Sequence, residues 1–96
     1  MGTVHRVTCS QRLPDWPEVL ARITAHNVVA EMRMIDGQLA FPDEIPPSDW
    51  TELRVSIDGW MVTIRRAENS VEFVTWGDPT PELQAAVAVL ADAFQG

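Results

Sequence analysis

His5 and Cys9 stand four residues apart near the start of the chain, and a thiol beside an imidazole is where nucleophilic chemistry would first be sought. The alternation of Val4 to Cys9 suits a strand. There, positions i and i+4 share a face but lie about 13 Å apart. A Cys–His nucleophile pair needs hydrogen-bond reach. The spacing therefore predicts a half-buried thiol and a surface histidine rather than a catalytic pair.

The other candidates reduce the same way. His26 falls at the end of a helical pattern, where an imidazolium gains about 0.3–1 kcal/mol from the helix C-terminus. A zinc site needs three or four ligands brought together, and His5, Cys9 and His26 show no ligand spacing. Ser10, Ser48, Ser56 and Ser70 lie in neither Gly-x-Ser-x-Gly nor Ser-x-x-Lys. Asp43, Glu44 and Asp49 could pair as acid and base, but Pro42, Pro46 and Pro47 between and beside them describe a stiff, solvated connector. There is no lysine, which removes Schiff-base chemistry and the P-loop. No activated nucleophile, metal or cofactor fingerprint can be assembled, so the residues weigh toward a non-catalytic protein.

Charge narrows the partners. The 96 residues carry a net charge of −7, with every positive charge an arginine. An acidic chain repels the phosphate backbone, so no nucleic-acid partner is expected. No apolar run approaches the ~18 residues that span a bilayer, and the first residues resemble no leader or lipid-anchor signal. A single cysteine fits a reducing compartment. The expectation is one cytoplasmic domain over residues 1–96, not bound to membrane.

The elements that must position any site are well marked. The stretch LPDWPEVLARITAHN, residues 13–27, places Trp16, Val19, Leu20 and Ile23 on one helical face, with Asp15 and Glu18 at capping-box spacing. Pro17 lies in the first turn, and Asn27 suits a left-handed stop. The period then changes to two. Val28, Ala30, Met32 and Met34 are expected on one face, with Val29, Glu31, Arg33 and Ile35 on the other. The last segment offers Thr80 as N-cap, Pro81 at the first helical position, and a stripe of Leu83, Val87, Leu90, Ala91 and Phe94.

Ile-Asp-Gly occurs twice, at residues 35–37 and 57–59. Asp-Gly between alternating segments predicts a two-residue type I′ hairpin. The first turn would pair Met34 with Leu39 and Met32 with Phe41. The second would pair Ile57 with Trp60, Val55 with Val62 and Leu53 with Ile64. All five pairs are apolar, as register demands, and no further oxygen ligands support a metal loop. A turn over "RAENSV" then sets Ile64 beside Phe73 and aligns Glu52, Arg65 and Glu72 on the opposite face. The fold class is α+β: an antiparallel sheet of about five strands with two helices, in the order (β)-α-β-β-β-β-β-α, in two layers.

That register also raises the main functional expectation. Met61, Val74 and Trp76 fall together on the face opposite Ile57, Val62 and Ile64. A sheet face left to solvent is normally polar, so an apolar cluster there marks a partner-binding surface. The partner would be another protein or a second copy of the chain. The alternative is a small-molecule regulatory domain, with a pocket between helix and sheet lined by methionines, tryptophans and Arg33 or Arg54.

Overall fold

In a computed structural model the described residues are 2–8, 13–67, 70–77 and 80–95, with side chains from residue 4 onward. Cys9, Ser10 and the Glu68–Asn69 part of the third turn lie outside them. The elements are β1 (Gly2–Thr8), α1 (Trp16–Ala25), β2 (Ala30–Ile35), β3 (Gln38–Leu39), β4 (Glu52–Ile57), β5 (Trp60–Arg66), β6 (Ser70–Trp76) and α2 (Pro81–Gln95). Six strands form one antiparallel sheet in the order β1-β6-β5-β4-β2-β3, one strand more than the count of about five.

The hairpin chemistry holds at both Asp-Gly turns. Asp36 and Gly37 take φ of 49° and 82°, and Asp58 and Gly59 take 49° and 85°, the positive pair a type I′ turn requires. The second hairpin has the expected pairs Ile57↔Trp60, Val55↔Val62 and Leu53↔Ile64. Arg65 lies between Glu52 and Glu72 in register, and β1 adds Arg6 opposite Glu72.

The first hairpin departs from expectation. Met34 does pair with Leu39, but β3 stops there, and the amide of Met32 donates to Pro42 O at 3.0 Å instead of matching Phe41. The cause is a register shift between Met32 and Met34 in the pairing with β4. Met32 stands opposite Val55, Met34 opposite Arg54 and Ile35 opposite Leu53. One extra residue in a strand reverses the facing of everything beyond it. Met32 is therefore buried on the helix side, Met34 turns to the other face, and Ile35 packs against the core. Leu39 and Phe41 are left exposed.

Both helices cover the same side of the sheet. Trp16, Val19 and Ile23 of α1 join Leu90 and Phe94 of α2 over Leu53, Val55, Ile57, Val62, Ile64, Val71 and Phe73. Arg22 of α1 donates to Ala93 O at 2.7 Å and ties the helices to each other. Thr80 caps α2 as expected, accepting the Leu83 amide at 3.1 Å. Asp15 is the N-cap of α1 by backbone conformation, without a side-chain capping bond, and Glu18 pairs with Arg22 at 3.1 Å. His26 ends α1 with its Nε2 3.4 Å from Asp92 Oδ2, and Asn27 follows at a φ of 59°.

The proline-rich loop is held from above and below. Trp50 is buried, edge-on to Phe94 at 6.3 Å, with the Arg66 guanidinium 4.8 Å over its ring. Arg66 also donates to Ser48 O at 2.8 Å.

Candidate functional site

With both helices on one side, the register defines the other side as three rows running across the strands. The first is Arg6, Glu72, Arg65 and Glu52, alternating in charge over β1, β6, β5 and β4. Arg6 and Glu72 are 3.2 Å apart, and so are Arg65 and Glu52. The second row is Val4, Val74, Thr63, Arg54, Met34 and Leu39, crossing all six strands. The third holds Trp76 on β6, then Met61, Ser56 and Glu31 on β5, β4 and β2.

These rows show why the sheet can carry the cluster. Thr63 and Ser56 are short polar residues, buried by the longer side chains around them. Val74 is only 4% exposed, so it forms the floor rather than the rim. Met61 and Trp76 stand above it at 47% and 64% exposure, and Val4 at 57% completes the apolar surround. Of the three residues expected to form a surface, two are open to solvent and Val74 supports them. Val4 escaped the sequence reading because the pairing of β1 with β6 is a contact between chain ends. Arg54 contributes its guanidinium 3.7 Å from Met34 Sδ, which spreads its stem along the second row.

No family model, curated protein or solved structure matches the chain. The site must therefore be judged on its own chemistry. The charged side chains in register on this face are Arg6, Arg54 and Arg65 against Glu31, Glu52 and Glu72, three of each sign, with Arg33 standing in the β2 irregularity beside them. The excess negative charge lies elsewhere, on the turns, the proline-rich loop and the helices.

The residues considered for catalysis are not brought together. His5 is on the helix side of β1, its ring 6.4 Å from that of Phe73, while His26 lies at the end of α1. Among the described residues no three His, Cys, Asp or Glu groups stand close enough to hold a metal ion. No helix among them is long and apolar enough to cross a membrane.

The fold lowers the titration of Asp36. The Glu52 amide, then the Thr51 amide and hydroxyl, hold its carboxyl below the ordinary 3.8. That serves the turn, since the three donors belong to Thr51 and Glu52, where the chain enters β4.

A cleft of ≈340 Å³ does open between α2 and the β1–β6 edge, lined by His5, Phe73, Thr75, Leu83, Gln84 and Val87. It is not the pocket expected from composition. Met32 is buried in the core, and Met34 and Arg54 lie across the sheet from it.

Proposed function

We propose that this chain is a non-catalytic protein-interaction module of the cytoplasm, binding a protein partner through the sheet face that the helices leave open. One observation carries the reading: Trp76, Met61 and Val4 stand exposed together, over buried Val74, on a face whose in-register charges are three of each sign. Aromatic and methionine side chains ringed by polar groups are the composition of an interface core and its rim. A solvated sheet face has no comparable reason to hold a tryptophan.

The test is light scattering over a concentration series, with wild type beside Trp76→Glu. Association that vanishes while circular dichroism stays unchanged supports the reading. Association that persists in a folded Trp76→Glu chain overturns it.

The cleft beside His5 supports a second reading, a small apolar ligand held between α2 and the sheet. A ligand at 100 times its dissociation constant would add about 2.7 kcal/mol of stability. Thermal shift against a metabolite panel separates the two readings, because the sheet-face module predicts no response.

A further inference from the structure

Resting on that reading of the open face, we infer that its occupant is a second copy of this chain, packed face to face about a two-fold axis that runs parallel to the strands between β5 and β6. The charge row decides this. It reads Arg6, Glu72, Arg65, Glu52 from β1 to β4, and reversing it exchanges plus for minus at every position. A two-fold parallel to the strands performs that reversal while keeping each row at its own height.

Placed between β5 and β6, the axis sets Arg6 against Glu52 of the second copy and Glu72 against Arg65 of the second copy. Placed along β5 or β6, it sets like charges against each other at the centre. An axis across the strands lays the charged row over Trp76 and Met61. Of these placements, the first sets all four charges of the row against an opposite charge and keeps Trp76 over Met61.

In the other rows, Val4 lies against the Arg54 stem of the second copy. Trp76 meets Met61 of the second copy, a sulfur–aromatic contact made twice by symmetry. Val74 meets Thr63 of the second copy, two short side chains where the faces come closest. Aligned sheets pack about 10 Å apart with strands within about 30° of each other, a separation these side chains can bridge. About this axis four strands overlap, β1, β6, β5 and β4, a face on the order of 350 Å² in projection and more once side-chain relief is counted. That is a small interface beside the roughly 800 Å² per partner of an ordinary stable complex. The charged row lies at one end of the face, where it selects register, while the Trp76–Met61 contact supplies affinity. The mixed charge of the face keeps the excess negative charge of each chain away from the contact.

The experiment uses a charge-inverted chain, R6E/E52R/R65E/E72R, whose own ladder still alternates and so keeps the fold. Wild type should dimerise, and so should the inverted chain. Mixed in equal amounts, the two should form mixed dimers at least about tenfold below the binomial proportion by native mass spectrometry, because every inter-chain charge contact becomes repulsive. Trp76→Glu should dissolve both dimers.

A wild type that stays monomeric across the concentration series overturns the inference and leaves the face to an unlike protein. A dimer that Trp76→Glu dissolves but that mixes freely with the inverted chain also overturns the inference alone. A dimer indifferent to Trp76→Glu overturns the interaction face and the inference together.

Discussion

Asp36 and Thr51 are joined twice: Asp36 Oδ1 accepts the Thr51 amide and the Thr51 hydroxyl, each at 2.8 Å. The same oxygen accepts the Glu52 amide at 2.9 Å, and the Asp36 amide donates to Glu52 O at 2.8 Å. Asp58 does for Val29 what Asp36 does for this pair, with its amide donating to Val29 O at 2.9 Å and its Oδ1 accepting the Val29 amide at 3.2 Å. Each aspartate of the Ile-Asp-Gly repeat thus makes a turn and fastens it to the start of a neighbouring strand. The repeat is a structural device used twice.

From this follows a pH dependence. The folded-state pKa of Asp36 is depressed, so its contribution is present above the unfolded value and lost as pH falls through the folded one. Wild type should lose stability below about pH 4, and Asp36→Ala should lower the melting temperature at pH 7 while flattening that acid slope. Melting curves from pH 2 to 7 check this; parallel curves for the two chains would refute it.

Gly59 separates conformation from packing. A Cβ there would meet nothing within 4 Å, yet φ is +85°. Gly59→Ala should cost about 1–2 kcal/mol in urea denaturation through backbone strain alone, and Gly37→Ala should behave similarly.

Phe94 is the core residue whose removal should cost most. It is buried against Phe73 at 5.7 Å and Trp50 at 6.3 Å, joining α2, the sheet and the proline-rich loop. Phe94→Ala should cost about 3–5 kcal/mol, out of the roughly 5–15 kcal/mol typical of a domain. Chemical denaturation should show a midpoint well below that of wild type with the slope unchanged, and a shift worth less than about 1 kcal/mol would refute the assignment.

Thr80→Ala should lower stability by about 1 kcal/mol, because the Leu83 amide loses its capping oxygen. Thr80→Ser should restore most of it. Equal losses in the two variants would mean that the cap contributes through its methyl group instead.

Iodide quenching tests the exposed face directly. Trp16 and Trp50 are buried, whereas Trp76 is the most exposed tryptophan and Trp60 is next. In dilute solution Trp76→Phe should remove most of the quenchable fluorescence. As wild type is concentrated into dimers, that fraction should become protected, and a constant quenched fraction would count against burial of Trp76.

Local chemistry was legible in the chain itself. The Asp-Gly turns, the Thr80 cap and the Asn27 stop could be read because each depends on a few adjacent residues with narrow conformational preferences. The Leu53–Ile64 and Ile64–Phe73 pairs could be read because a short turn leaves one register that keeps apolar side chains together. The same reasoning placed Met61, Val74 and Trp76 on one face.

Three things were decided only by the tertiary structure. Alternation cannot reveal the register shift between Met32 and Met34, since the residue that breaks the pattern is paired with a strand some twenty positions away. The pairing of β1 with β6, which brings Val4 and Arg6 to the face, joins segments about seventy residues apart. The placement of both helices on one side, which leaves Trp76 open, depends on how two apolar stripes share one core. Turns and caps are short-range bargains of backbone geometry and hydrogen bonding, visible in sequence. The identity of the uncovered face is a long-range outcome of packing, and only the assembled chain contains it.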